Sequence, residues 1–510
     1  MTSKFFQHYF VSVRRLQAGT GAQFPTTSIT SLTPQPRSNR TRFPRFTRAA
    51  ICALAFILTF ALNLYIAPLA HAEAPAIDGL SVYGAQAGTT AKITFSGKLA
   101  PWPVHGWADV PAIEFKPQGS NGVFQIAVAT NTPPGPHLIR LFNADGVSRP
   151  RIFMVGRFPE IDETEPNDGV ANAQSIAKLP ATINGKFDKA GDVDSFAVRA
   201  EAGQTLVAEC NASMIGAPLD CVINLRDAAG NKLAFVHDGI GLDPLLAFPV
   251  TKSGTYIVQV SGFSYPPAAD VRFTGGKGQF YRLSITTGPY VRNAFPAGVA
   301  RGTNSSVELS GWNLGAPGKA PELTVNANAS LTAKTLVTSS PRFPNRIRLA
   351  LGERPEIREV EPNNTLTNAQ PITPPATING RIDPAGDVDR FAFTARKGER
   401  FELRLVSASL GFPLDSLLRV EDSTGKELAR NDDATSGEFD SRLVWSSPAD
   451  GTYFATVKDL FSKGGPEFVY RLEIGAPLAD FTVAADNHAY TLQSGKTNEI
   501  KITIAALNNF

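Results

Sequence analysis

The 510 residues include 43 Gly and 38 Pro, together about 16% of the chain, above an average near 12%, which favours turns over long helices. With 43% hydrophobic and 19% charged residues the chain can bury real cores, so wholesale disorder, collagen and multi-span membrane architectures are excluded. The net charge of +3 is uneven: residues 1–72 hold eight of the 49 Lys or Arg and none of the 46 Asp or Glu, which leaves 41 bases against 46 acids, a net of −5, downstream. An acidic body without a basic stripe excludes nucleic acid as the natural partner and leaves cations open.

In chain order, Arg42, Arg45 and Arg48 precede an uncharged stretch from Ala49 to Ala70, apolar as far as Leu62, and Ala70-His71-Ala72 forms a small-residue cleavage pattern before Glu73. This is the grammar of a secretory signal, and residues 1–72 are expected to be a signal or leader segment with an apolar helix. Two outcomes stay open: cleavage, or retention as a single N-terminal anchor, the only route to the membrane. Either way the arginines direct the rest of the chain outward. Cleavage removes Cys52 and leaves Cys210 and Cys221, an even number in an oxidising compartment. A disulfide between them, on neighbouring strands, is the expectation; two buried free thiols are the alternative.

The body is internally duplicated. Glu165-Pro-Asn-Asp168 returns as Glu361-Pro-Asn-Asn364, Ala181-Thr-Ile-Asn-Gly185 as Ala376-Thr-Ile-Asn-Gly380, Gly191-Asp-Val-Asp194 as Gly386-Asp-Val-Asp389, and Gly254-Thr-Tyr256 as Gly451-Thr-Tyr453. Upstream, Leu138-Ile-Arg-Leu141 resembles Arg346-Ile-Arg-Leu349. The plan is therefore A-B-A′-B′, with A at 75–158, B at 159–288, A′ at 289–354 and B′ at 355–475. Such a period is too long for a solenoid, so each module needs its own core. Short β-rich runs such as Tyr256-Ile-Val-Gln-Val260, punctuated by Gly and Asn, predict an all-β fold of tandem sandwiches. Only Gly169 to Ala177 and Thr365 to Gln370 are expected to make helical turns. Residues 477–510 begin a further, incomplete β-module with three strands, too few to close a sandwich and prone to expose apolar edges.

The opening Glu-x-Glu-Pro-Asn, the Asn-Ala-Gln, the Gly-Asp-x-Asp-x-Phe and the late Gly-Thr-Tyr of B and B′ resemble the bacterial pre-peptidase C-terminal domain. A and A′ are similar to the immunoglobulin-like (IPT/TIG-like) modules that often precede it. The resemblance implies jelly-roll sandwiches, export, a non-catalytic accessory role often beside a secreted peptidase, and in some relatives calcium binding with engagement of extracellular protein or polysaccharide.

The residues give a separate reason to expect a cation. If Phe196 and Val198 face the core, Asp192 and Asp194 share their parity and point inward. No Lys or Arg lies between them and the strand, and an unpaired charge at a core edge costs several kcal/mol. Together with Glu163, Glu165, Asn167 and Asp168 they compose an all-oxygen cage of the kind Ca²⁺ prefers. The second copy offers Glu359, Glu361, Asn363, Asn364, Asp387 and Asp389, with Asn364 in place of Asp168, so weaker binding or one ion fewer is expected there. The alternative reading, in which these residues merely cap turns, stays open. The acidic loop Asn431-Asp432-Asp433 with Asp440, and Asp238 and Asp243 in B, read as solvated turns.

Nothing in the sequence assembles a catalytic site. Gly262-Phe-Ser-Tyr-Pro266 lacks the final glycine of a nucleophile elbow, and His-Glu-x-x-His and phosphate-loop strings are absent. His105, His137, His237 and His488 are scattered over different modules, where surface or satisfied core roles are expected. Trp102 and Trp107 flank His105; packing into the sandwich is the expectation, with stacking on a sugar or protein partner the alternative. The sequence thus describes an exported, non-catalytic binding or adhesion scaffold, secreted, at the cell surface or in the periplasm. The rival reading is an accessory fragment that positions substrate for a secreted peptidase.

Overall fold

Alternation of apolar side chains at two-residue spacing builds many of the strands, whereas central strands such as Gly254–Ser264 and Gly451–Asp459 are buried on both faces. In Gly135–Asn143, His137, Ile139 and Leu141 turn inward while Leu138, Arg140 and Phe142 do not, the period of a half-buried strand. In this computed structural model the described residues are 74–510, except 120–121, 240, 268–271, 316–319, 329–332, 436–438, 478, 488–489, 491–494, 496, 498 and 508–510. The signal segment with its apolar helix, Cys52 and His488 lie outside them. The protein is all-β, a series of β-sandwiches, and helix among the described residues is limited to three 3₁₀ turns, Val170–Asn172, Ser213–Ile215 and Ala408–Leu410. The first falls inside the expected turn at Gly169 to Ala177; Thr365 to Gln370 holds a turn at 366–368 without 3₁₀ helix. Among the described residues no helix is long and apolar enough to cross a membrane.

The first sandwich packs the sheet Ala76–Leu80, Thr90–Lys98, Val123–Val128, Ile113–Pro117 on the sheet Gly84–Gln86, Arg151–Gly156, Gly135–Asn143, His105–Ala108. Lettered in chain order this is A-B-E-D on A′-G-F-C, the immunoglobulin arrangement. Its duplicate keeps three strands in each sheet: Tyr290–Phe295, Asn304–Trp312, Glu322–Asn326 and Gly298–Ala300, Ile347–Gly352, Thr335–Thr338. Among its described residues nothing corresponds to strands C and D. Ile347–Gly352 pairs in parallel with Gly298–Ala300 as Arg151–Gly156 does with Gly84–Gln86. The strand equivalent to Arg346-Ile-Arg-Leu349 is therefore Arg151–Gly156, and the resemblance to Leu138-Ile-Arg-Leu141 is a coincidence of β patterning.

The second sandwich orders Ala181–Lys186, Phe280–Thr286, Thr205–Asn211, Leu245–Pro249 against Asp194–Ala200, Gly254–Ser264, Leu219–Asp227, Lys232–Val236. Numbered along the chain these eight strands run 1-8-3-6 over 2-7-4-5, the double Greek key of a jelly roll. Short parallel strands, Glu160–Asp162 and Gln174–Ser175, extend one edge of each sheet. The fourth sandwich, from Glu356–Arg358 to Val469–Gly475, repeats the order strand for strand. Beyond it lies a two-stranded hairpin, Asp480–Ala485 with Ile502–Leu507, leaving Phe481, Ile502 and Ile504 exposed.

Each jelly roll holds a buried arginine by ion pairing to a glutamate on its own edge strand and packs that arginine against a glycine of the immunoglobulin-like sandwich before it. Arg282 forks onto Glu160 at 2.6 and 2.8 Å, and Arg471 pairs with Glu356 at 2.8 Å. Gly84 and Gly298 make room: a Cβ on Gly84 would lie 2.6 Å from the Arg282 guanidinium carbon, and one on Gly298 2.7 Å from Arg471 Cδ. Around the first seam Met214, Ile215 and Phe280 join the core of the preceding sandwich; Leu410, Phe412 and Val469 join Phe295 and Ala297 at the second. Asp243 accepts hydrogen bonds from the Ala212, Ser213 and Met214 amides, and Asp440 from those of Ser407, Ala408 and Ser409. These two carboxylates cap the turns that fill the seams and are not the solvated residues expected.

Candidate metal centres

The repeated acidic opening and the repeated Gly-Asp-Val-Asp converge at one end of each jelly roll. Glu163 follows the edge strand Glu160–Asp162, and its amide donates to Asn184 O at 3.0 Å. Asp194 begins the strand Asp194–Ala200 and is fully buried with Phe196 and Val198. Asp192 sits in the preceding turn, also fully buried, where its Oδ2 accepts from the Asp188 amide at 2.5 Å. The shared parity thus places Asp194 inward, while a turn places Asp192.

The six residues form two adjoining clusters and not one cage. Carboxylate oxygens of Glu163, Glu165 and Asp194 lie within 4.8 Å of one another, as do those of Glu165, Asp168 and Asp192. Glu165 belongs to both. Asn167 is fully buried, donates Nδ2 to Glu163 Oε1 at 3.2 Å, and keeps its Oδ1 unpartnered. One oxygen of Asp194 and one of Asp192 also lack a hydrogen-bond donor. The second cluster is partly neutralised by Lys189, whose Nζ is 3.2 Å from Asp168 Oδ1 and 3.7 Å from Asp192 Oδ1. The sequence argument looked for a cation between the aspartates and the strand and so missed one three residues earlier.

In the second copy Glu359, Glu361 and Asp389 converge within the same 4.8 Å. Asn364 donates Nδ2 to Asp387 Oδ1 at 2.6 Å, and Pro384 stands where the first copy has Lys189. Asn363 is fully buried with both side-chain polar atoms unpartnered, and Asp389 keeps a bare Oδ1.

Two tyrosines that sequence reasoning did not single out complete the sites. Tyr281 donates to Asp194 Oδ2 and Tyr470 to Asp389 Oδ2, each at 2.6 Å. Both come from the facing sheet, and Gly185 and Gly380 admit them: a Cβ there would lie 2.3 and 2.2 Å from the phenolic oxygens. The available signal was the repeated Tyr281-Arg-Leu283 and Tyr470-Arg-Leu472. Burial, reinforced by the Glu163 charge, pushes the Asp194 carboxyl up to about 10 despite the tyrosine. Asp389 rises to about 10 by burial and the Glu359 charge, and burial lifts Glu359 to about 7. Burial raises Glu163 too. Without a cation Asp194 and Asp389 hold protons at neutral pH; with one, they supply hard oxygen donors.

Cys210 and Cys221 are free, buried thiols, contrary to the expected disulfide. They sit on Thr205–Asn211 and Leu219–Asp227, strands of opposite sheets and not neighbours in one, and both join the core between them. His137 is a satisfied core residue, bonded to Asp109 at 3.0 Å and to Pro133 O at 2.9 Å. Trp102 packs near Phe124 at 5.8 Å between centroids, whereas Trp107 is exposed.

No family model matches the chain. A probable subtilase-type serine protease of Deinococcus radiodurans is 36% identical over 154 residues, covering 27% of this chain and 20% of that protein. The chain thus spans about a fifth of that relative's length. Among solved structures, the pre-peptidase C-terminal domain of a Bacillus anthracis collagenase aligns at 13% identity over 24% of this chain and 99% of that one, with a TM-score of 0.17. A protein of the Bacteroides ovatus mixed-linkage glucan utilization locus aligns at 8% identity over 75% of this chain and 74% of its own, with a TM-score of 0.16. Scores this low carry no structural argument.

Proposed function

We propose that the protein is an exported, non-catalytic binding scaffold that engages an extracellular polymer through its β-sandwiches, and that its jelly rolls, of the pre-peptidase C-terminal type, are stiffened by Ca²⁺. The observation that carries the cation is the bare Oδ1 of a fully buried Asp194, beside Glu163 and Glu165 and repeated at Asp389. A buried carboxylate oxygen with no donor is costly unless a proton or a cation meets it.

Glu163, Glu165, Asp194 and Asn167 Oδ1 would hold the ion in the first copy, and Glu359, Glu361, Asp389 and Asn363 Oδ1 in the second. Bound Ca²⁺ would supply the positive charge that these oxygens lack, and Asp194 would tie it to the second of the eight strands. Asp168 and Asp192 already share Lys189, so one tight site in each jelly roll is expected. Isothermal titration of Ca²⁺ into the EGTA-stripped chain tests this. Two sites per chain that Mg²⁺ fills poorly are expected, because Ca²⁺ tolerates irregular cages of many oxygens; no heat would contradict it.

A second reading, an accessory segment that positions substrate for a secreted peptidase, is favoured by the subtilase-type relative. Co-purification with a peptidase, or binding of a protein substrate without turnover, would support it.

A further inference from the structure

The first immunoglobulin-like sandwich carries elements with no counterpart among the described residues of its duplicate: strand C, His105–Ala108, and the short hairpin strand Gly146–Val147 that doubles back on strand F. Together they build one surface. His105 pairs opposite Phe142 and Trp107 opposite Arg140, while Phe142 lies opposite Val147. Because Ile139 and Leu141 point into the core, strand alternation turns Arg140 and Phe142 to the outer face. Trp107 is 46%, Phe142 38% and Val147 50% exposed. The His105 and Phe142 rings lie 5.4 Å apart, and the face is a shallow, open groove of about 520 Å³.

Its polar edge is incompletely satisfied. Asn143 Oδ1 accepts from the Asp145 amide at 2.9 Å, which fixes the orientation of the side-chain amide. Its Nδ2 is buried and has no hydrogen-bond partner. Arg140 Nη1 donates to Ser148 O at 3.2 Å, anchoring the guanidinium beside the indole. No carboxylate is among the groove's lining residues.

The geometry points to a polysaccharide site, with a pyranose ring laid on the Trp107 indole and its polar rim beside the Arg140 guanidinium. A pyranose offers an apolar C–H face with polar groups round its edge, which matches an exposed aromatic bordered by donors. A protein partner's anchor residue would instead need a deep, enclosed pocket, and this groove is shallow. The inference rests on the scaffold reading and gives it a ligand class and a location.

The test is affinity electrophoresis of the full chain in native gels containing hydroxyethyl cellulose, xylan or dextran. Retardation by at least one polymer is expected, weakened at least tenfold in Trp107→Ala and several-fold in Arg140→Ala, with the melting temperature of Trp107→Ala unchanged. Equal retardation of Trp107→Ala would overturn the site and leave the scaffold reading standing. Retardation by none of the three would overturn the inference, while the calcium response, read separately, decides the larger proposal. A dimer in sedimentation velocity that Trp107→Ala dissociates would also overturn it, by assigning the face to a second copy of the chain.

Discussion

Tyr281 donates a 2.6 Å hydrogen bond to Oδ2 of Asp194 across the two sheets of the first jelly roll, and leaves Oδ1 of that buried carboxylate bare. The bond divides the aspartate's two oxygens between the core and the acidic cluster. Tyr281→Phe removes the donor while keeping the ring. It should cost about 1–3 kcal/mol, the usual penalty for stranding a buried polar group, and weaken Ca²⁺ binding in that jelly roll alone. Urea unfolding and calcium titration check both effects; an unchanged affinity would mean that the tyrosine does not position the aspartate.

The raised carboxyls set a direction for pH dependence. Asp194 and Asp389 titrate near 10 in the folded state and near 4 when unfolded, so between these values the folded chain holds more protons. Stability of the calcium-free protein should therefore fall as pH rises from 5 to 8, with a ceiling of about 1.4 kcal/mol per pH unit for each group. Because a proton and the cation compete for the same oxygens, calcium affinity should rise over that range. Melting curves in EGTA and in excess Ca²⁺ at pH 5, 6.5 and 8 should diverge as pH increases; parallel curves would contradict the account.

The copies differ where Lys189 meets Asp168 and Asp192 in one, and Asn364 bonds Asp387 in the other. Lys189→Ala should free the second cluster of the first jelly roll and add one bound Ca²⁺ per chain. Asn364→Asp restores a third carboxylate beside Glu361 and Asp387 and should do the same in the second copy, since cation affinity follows ligand charge. Calorimetric stoichiometry checks both; two sites in every variant would show that these residues hold no cation.

The seam arginines make a prediction about stability. A Cβ on Gly84 would lie 2.2 Å from Met154 O and 2.6 Å from the Arg282 guanidinium. Gly84→Ala should cost about 1–3 kcal/mol through overpacking. Arg282→Ala should cost about 3–5 kcal/mol by stranding Glu160. Proteolysis between the first two sandwiches should quicken in both variants, and resistance equal to that of the native chain would rule out a rigid seam.

Much of the architecture was legible because duplication printed it twice: the Glu-Pro-Asn and Gly-Asp-Val-Asp strings converge, and Phe196 and Val198 fix Asp194 inward by parity. Tyr281 and Arg282 were hidden because their partners Asp194 and Glu160 lie 87 and 122 residues away in sequence, and pairing at that separation leaves no local periodicity. The cysteine count left a disulfide and two free thiols both open, and Cys210 and Cys221 are free thiols in the core between the two sheets. Trp102 and Trp107 share one Pro-rich stretch, yet only the neighbouring strands decide which ring packs.

The central claim is that the buried carboxylates at the mouths of the jelly rolls are cation ligands. Thermal unfolding of the full chain in excess Ca²⁺ and in EGTA, beside the variant carrying Asp194→Asn and Asp389→Asn, tests it most directly. A ligand confined to the native state adds about 2.7 kcal/mol at a hundredfold excess over Kd. The account predicts a higher melting temperature with calcium in the native chain and none of that gain in the variant. No calcium shift in the native chain, or an equal shift in both proteins, would contradict it.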